Sequence, residues 1–69
     1  MMHAELVKRA AHFFRLGQAA MASVSLQAYL RLPDRKPHAR EEELIRALHA
    51  GDYLWCADIL TQAIAPLYA

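Results

Sequence analysis

Residues 51–68 constrain the fold more than any other part of the sequence, because this segment is too apolar to stand alone in water. After Asp52 its polar side chains are few, chiefly Asp58, Thr61 and Gln62. Residues three and four apart share one face of a helix, so these three form a single narrow polar stripe. The remaining surface is mainly apolar, which predicts a helix with more than one neighbour.

The length of the chain makes a stable core difficult to build from one copy. The sequence has 69 residues, enough for one domain over residues 1–69. A domain of this size buries only roughly 60% of the surface that its unfolded chain exposes. Small domains usually need a disulfide, a metal or a partner. Cys56 is the single cysteine, and the apolar fraction is 57%. Association, most simply as a homodimer, is therefore expected.

Residues 4–32 are predicted to form one long helix. They contain no proline and a single glycine, and good helix formers fill most of the segment. Apolar or small side chains recur at spacings of three and four residues, which is one helical face running straight through the glycine. That face consists of Val7, Ala10, Phe14, Gly17, Met21, Val24 and Ala28.

A loop over residues 33–38 separates this helix from a second helical region at about residues 40–65. Pro33 ends the first helix, because the residue before a proline avoids the helical conformation. Gly51 is a possible break in the second region, since Asp52 can cap a new helix. The predicted fold class is all-α, an antiparallel helical hairpin that assembles into a helical bundle. In this hairpin Gly17 faces Gly51, and two hairpins make a four-helix bundle.

An internal repeat offers a different arrangement. Gly17 and Gly51 are 34 residues apart, and Ala22 pairs with Cys56 at the same offset. A helical repeat of this length resembles the tetratricopeptide repeat family. The resemblance implies turns between paired helices at the two glycines and a peptide- or protein-binding scaffold without chemistry. The uninterrupted face through Gly17 favours the long-helix hairpin instead.

The side chains that bind metals or act as nucleophiles are scattered along the chain. No two histidines stand four residues apart, and no Cys-x-x-Cys motif is present. Cys56 lies near Asp52 in the sequence, but its neighbours Trp55 and Ala57 favour a small core residue over a nucleophile. We therefore predict no metal, no cofactor and no enzymatic activity. The histidines interpreted as surface residues are His3, His12, His38 and His49.

The densest positive patch lies around the loop, and it is the possible contact for an anion or a nucleic acid. It consists of Arg31, Arg35, Lys36 and Arg40. Glu41, Glu42 and Glu43 follow directly, and the net charge of the chain is only +1. A solvated loop balanced by its neighbours is thus favoured. A dimeric nucleic-acid-binding protein that uses this loop is the alternative function, and nucleic acid is an unlikely partner.

Aromatic side chains are favoured anchors of protein interfaces. Their presence in this sequence predicts an interaction role for the chain. The predicted anchors are Phe13, Phe14, Trp55, Ile59 and Leu60. We expect a small non-enzymatic interaction or assembly module that acts as a homo-oligomer: an adaptor, a secretion-type chaperone or a regulatory subunit. Residues 47–53 resemble helices of small bacterial secretion chaperones, a resemblance that assigns no residue a role.

The expected location is the cytoplasm, and no membrane partner is expected. No apolar run reaches the roughly 18 residues that would suggest a membrane-spanning helix. The first residues carry charges within an amphipathic pattern, whereas a signal peptide has a continuous apolar core. A lone thiol, expected to be buried, is also compatible with a reducing compartment.

Overall fold

The computed structural model describes residues 2–69, and these residues form helices and loops without any strand. The all-α fold class is therefore confirmed. None of the helices in this part of the chain is both long and apolar enough to cross a membrane. The elements are α1 (Met2–Arg15), α2 (Ala19–Leu30), α3 (Glu41–His49) and α4 (Tyr53–Ile59), followed by a π-helical turn (Leu60–Ile64) and a 3-10 turn (Ala65–Tyr68).

The prediction of one long helix over residues 4–32 is wrong, because α1 ends at Gly17. This glycine has a φ of +74°, in the left-handed region that other residues avoid. The amide of Gly17 donates to the carbonyl of Phe14, and the amide of Gln18 donates to the carbonyl of Phe13. These two bonds make a Schellman motif, which caps the free carbonyls at a helix end.

Gly51 ends α3 in the same way, so the possible break at this glycine is present. Its φ is also +74°, and the amides of Gly51 and Asp52 donate to the carbonyls of Leu48 and Ala47. Asp52 then caps α4, with its carboxylate accepting a bond from the Trp55 amide at 3.2 Å. Both glycines lie in turns between paired helices, which is where the 34-residue offset places them.

Because the helix is broken at Gly17, the residues of the second helix that face the core differ from those of the predicted continuous face. Val7, Ala10 and Phe14 are buried, as the predicted face requires. Met21 and Val24, which the same face placed beside them, are exposed instead. The residues of α2 that face the core are Ala22, Ser25, Leu26 and Tyr29. Two separate helices therefore happen to place apolar residues at the spacing of three and four residues that one continuous helix would show.

The four helices pack in the spatial order α2, α1, α4, α3. Helix α1 contacts α2 on one side and α4 with its π-helical and 3-10 extensions on the other, while α3 packs mainly against α4. Where α1 meets α4, the Phe14 ring stacks on Tyr53 with centroids 5.7 Å apart. Helices α2 and α3 consequently lie at the two edges, each with an outer side that no other helix of the chain covers.

The C-terminal helix departs from regular α geometry before its predicted end at about residue 65. Regular α-helix stops at Ile59, and the chain continues through the π-helical and 3-10 turns. Pro66 accounts for the loss, because its ring excludes the carbonyl of Gln62 from an α-helical position and it has no amide to donate. Ile59, Leu60 and Ile64 nevertheless all reach the core.

A cluster of aromatic and polar contacts fixes the loop against the C-terminal turn. The hydroxyls of Tyr29 and Tyr68 are 2.7 Å apart, and the Lys36 amide donates to the Tyr68 hydroxyl at 2.8 Å. The His3 ring stacks on Tyr68, with centroids 4.9 Å apart. This aromatic cluster holds the start of α1, the end of α2, the loop and the last turn together.

Replacing Gly17 with alanine should lower the free energy of unfolding by about 1 kcal/mol, because alanine is strained at positive φ. An added Cβ would meet no atom within 4 Å, so strain in the backbone is the whole cost. A continuous helix predicts the opposite sign, since alanine would then stabilise by about 1 kcal/mol. Urea unfolding decides between them. Gly17→Asn, which tolerates this conformation, is the control and should lie closer to the wild type.

Stability should fall at high pH because of Tyr29. Burial, and then the hydrogen bond with Tyr68, raise the pKa of Tyr29 above its ordinary value of 10.0. The folded chain therefore favours the neutral phenol, and this stabilisation is complete below about pH 10 and lost as the pH rises further. The slope is at most about 1.4 kcal/mol per pH unit. Urea unfolding of Tyr29→Phe should show a shallower loss between pH 9 and 11; parallel curves would contradict this role.

Candidate interaction surface

Helix α2 has an unusual composition for a helix at the edge of a bundle. Its 12 residues include no charged side chain and are mostly apolar, with Ser23, Ser25 and Gln27 as the exceptions. A helix that is hydrophobic all round is normally buried on all sides. In this chain only one side of α2 is covered, chiefly by α1. The other side is therefore an uncharged surface that no helix of residues 2–69 covers.

The uncovered side of α2, here called the α2 outer face, has Val24 near its middle. It consists of Ala20, Met21, Val24, Gln27 and Ala28, whose spacing places them on one side of a helix. The exposed fractions are 67% for Val24 and 52% for Met21. Single exposed apolar residues are ordinary on protein surfaces, but a contiguous apolar patch marks an interaction site.

The opposite edge of the bundle serves as an internal comparison. Helix α3 is also covered on one side only, but it is amphipathic and directs Glu42, Arg46 and His49 to the solvent. Its most exposed large apolar side chain is Ile45, at 37%. The same chain thus builds one ordinary polar edge and one apolar edge, so position in the bundle alone does not explain the α2 outer face.

Three of the five predicted interface anchors lie inside the core of a single chain. Phe14, Ile59 and Leu60 are fully buried between α1 and the C-terminal helix. A partner cannot contact them in this structure, so the prediction that they anchor an interface needs correction. Residues 51–68 are apolar on more than one side. Helix α1 of the same chain covers most of this apolar surface.

The other two anchors keep some contact with solvent. Phe13 is half-buried against the core, and Trp55 is 40% exposed. The indole N–H of Trp55 donates to Glu43 at 2.9 Å, so its polar edge already has a partner on α3. Leu54 beside it is exposed. Unlike the α2 outer face, the exposed surface of α4 also carries the charged side chains of Asp52 and Asp58.

Two of the four cations of the basic loop, residues 31–40, pair with glutamates that follow it. Arg35 pairs with Glu41 at 3.0 Å, and Arg40 makes a two-pronged pair with Glu43 at 3.0 Å. Lys36 donates to the carbonyl of Leu67 at 2.9 Å. The remaining cation of the predicted patch, Arg31, is exposed at the end of α2.

The pKa of Glu43 reflects the same ion pair. The bond from Arg40 is the main cause that lowers the pKa of Glu43. Phosphate contacts require cations that can exchange their counterions, and two of the four predicted cations already hold a carboxylate. The loop is organised to start α3, where the acidic side chains also favour the positive end of the helix dipole.

The histidines do not come together. In residues 2–69 no group of three or more histidine, cysteine or acidic side chains is arranged to hold a metal ion. His3 contacts the carbonyl of Pro33 at 3.0 Å, and the His38 ring accepts from the Arg40 amide. His12 and His49 are exposed on α1 and α3.

Cys56 lies in the core of the second helical pair. Burial is the main cause that raises the pKa of its thiol to about 11, and the nearby charge of Asp52 adds to it. The thiolate is the nucleophilic form of cysteine, and a thiol with this pKa is almost entirely protonated at neutral pH. Its environment is that of a small core side chain.

Sequence reasoning missed Met21 and Val24 as surface residues, because it assigned them to the buried face. A signal was present: residues 19–30 contain no charge at all. A helix of that composition has no charged side to turn towards water. Gly17, at the end of an amphipathic segment, was the second signal, since glycine is the usual residue that ends a helix.

Known proteins give no further guide to this surface. No protein-family model matches the chain, and neither does any curated protein or solved structure. The tetratricopeptide resemblance therefore rests on the 34-residue offset and on the two glycine turns alone.

Cys56 should react very slowly with a thiol reagent at pH 8 while the chain is folded. With a pKa of about 11, only about one thiol in a thousand is ionised at that pH. Urea should restore the rate of a free cysteine. The control is a chain with Cys56→Ala and Ala50→Cys, whose exposed thiol should react fast without urea. Fast reaction of the folded wild type would show that the core is open at this position.

Proposed function

We propose that this chain is a protein-interaction module that self-associates through the α2 outer face. The single observation that carries the proposal is the exposure of an entire helix side without charge, centred on Val24. Water contact with such a surface is unfavourable, and each Å² of apolar area that a partner covers contributes about 25 cal/mol. A second copy of the chain presents the same surface in the same conformation.

The sequence of α2 suits an antiparallel pair related by a two-fold axis. Residue 24 lies at the middle of Ala19–Leu30, so the axis would pass beside Val24. Ala20 of one copy would then face Ala28 of the other, which allows the two helices to approach closely. Met21 would face Gln27, and the flexible methionine side chain fits irregular surfaces. Self-complementarity of this kind is what a two-fold dimer requires.

The proposed interface is small. Stable protein pairs usually bury about 1,200–2,000 Å² in total, and a single 12-residue helix supplies less than its share of that area. Side chains beyond the helix, such as Leu16 and Arg31, would have to join the contact. We therefore expect a dimer in exchange with monomer at about micromolar concentrations, in which an apolar helix of another protein could replace the second copy.

This mode of action belongs to an adaptor, an assembly subunit or a chaperone-like protein, and we propose that it operates in the cytoplasm. The support for an interaction role is again the uncharged composition of α2. The basic loop gives little support for nucleic-acid binding, since Arg35 and Arg40 are paired with glutamates. Burial of apolar area also predicts association that changes little with moderate salt.

Introducing a charge at Val24 should abolish self-association while the fold remains. Val24→Lys places an ammonium at the centre of the proposed contact, where two copies would bring like charges together. The matched control is Ile45→Lys, the same chemistry on the other edge helix, where Glu41 and Glu42 precede it by four and three residues. Light scattering over a range of concentrations gives the molar mass, and circular dichroism checks the helices.

The wild type and Ile45→Lys should both rise towards the mass of a dimer, and Val24→Lys should stay at the mass of one chain. A wild type that remains monomeric at millimolar concentration contradicts the proposal. The same conclusion follows if Ile45→Lys, and not Val24→Lys, prevents dimer formation, because the contact would then lie on the α3 edge.

A further inference from the structure

The α2 outer face carries a methionine whose side chain is open to solvent. Met21 is 52% exposed in a single chain and precedes Val24 by three residues, about 4.5 Å along the helix axis. Residues 2–69 contain two other sulfur atoms, in Met2, which is also exposed, and in Cys56, which is buried. Met2 belongs to α1. Of the sulfur atoms in this part of the chain, that of Met21 is therefore the one on the α2 outer face.

An exposed thioether can be oxidised to a sulfoxide while the chain stays folded. The sulfur atom of Met21 donates an electron pair to the terminal oxygen of a hydroperoxide, so that an S–O bond forms and the O–O bond breaks. The proton of the attacked oxygen passes to the leaving oxygen, which departs as water or an alcohol. The sulfur loses two electrons and the peroxide gains them. Cys56 does not compete, because a buried and protonated thiol reacts slowly with oxidants.

The sulfoxide lacks the property on which the α2 outer face depends. It is polar and accepts hydrogen bonds, whereas α2 has no charged side chain and few polar ones. A polar group that leaves water without a partner opposes burial. In the proposed antiparallel pair each Met21 faces Gln27 of the other copy, and Gln27 is exposed in one chain. Its side-chain amide can donate to the sulfoxide oxygen, which offsets part of this cost.

We propose that Met21 is a redox modification site, at which oxidation by a hydroperoxide weakens self-association of the folded chain. This inference rests on the proposed function, because the second copy is what the sulfoxide opposes. The thioether form associates and the sulfoxide form separates. The change is reversible, since sulfoxide reductases return methionine with two electrons and two protons from thiols and release the oxygen as water. Association covers Met21, so the single chain is the form that reacts.

The test compares the dissociation constant of the dimer before and after oxidation. The wild type is treated with hydrogen peroxide, peptide mass spectrometry locates the added oxygen, and light scattering over a range of concentrations gives the constant. Oxidation at Met21 should raise the constant about tenfold, the effect of partly paired polar groups at a buried contact. Circular dichroism should stay unchanged, because the side chain lies outside the core. Equal constants overturn the inference, and so does loss of helix in the oxidised chain.

Two variants separate Met21 from the other methionines, and each is compared with itself before and after oxidation. Met2→Leu keeps Met21 and should show the same rise of about tenfold. Met21→Leu keeps Met1 and Met2 as its methionines and should show no rise, since leucine has no sulfur to oxidise. The reverse result, a rise in Met21→Leu and none in Met2→Leu, would place the effect at the start of the chain and overturn the inference.

The rate of oxidation gives a second readout that needs no separated forms. Raising the chain concentration from below to above the dissociation constant, in excess peroxide, should slow oxygen addition at Met21 and leave Met2 unaffected. Equal slowing at both methionines, or none at either in a wild type that dimerises, overturns the inference alone. A wild type that stays monomeric before oxidation overturns the proposed function together with the inference, so the two failures are distinguished.

Discussion

The packing of α1 on two sides is the constraint on which the rest of this structure depends. Ala10 and Ala11 are adjacent in sequence and both buried, because α1 has one neighbour on each side. Small side chains at these positions allow α2 and the C-terminal helix to approach α1 together. With α1 at the centre, α2 and α3 become the edges of the bundle. The exposed apolar surface of α2 is a consequence of this order.

Local signals in the sequence predicted much of this architecture. The all-α class followed from composition and the loop from Pro33, while a new helix after Gly51, capped by Asp52, was one of two arrangements that the sequence left open. The end of α1 was missed, since side-chain spacing does not report a backbone that turns through positive φ at Gly17. Two separate helices reproduced the spacing of one, so Met21 and Val24 were assigned to the core.

The candidate site was predicted less well, because burial is decided by contacts distant in sequence. Phe14, Ile59 and Leu60 are apolar enough for an interface, and nothing local distinguishes an interface from a core. Their contacts across the bundle decide the matter. By contrast, the balance between the basic loop and the glutamates that follow it was expected from their proximity in sequence, and Arg35 and Arg40 do pair with Glu41 and Glu43. The lack of charge in residues 19–30 was visible, and it is the property that the proposed function uses.

We propose that one chain closes its core around α1 and leaves the α2 outer face for a second copy. The most direct test is a concentration series of amide spectra of the wild-type chain, assigned by residue. We predict that shifts with rising concentration are confined to residues 20–28 and their flanks, while amides of α3 stay unchanged. Spectra independent of concentration up to the millimolar range, or shifts centred on α3 and α4, would contradict the account.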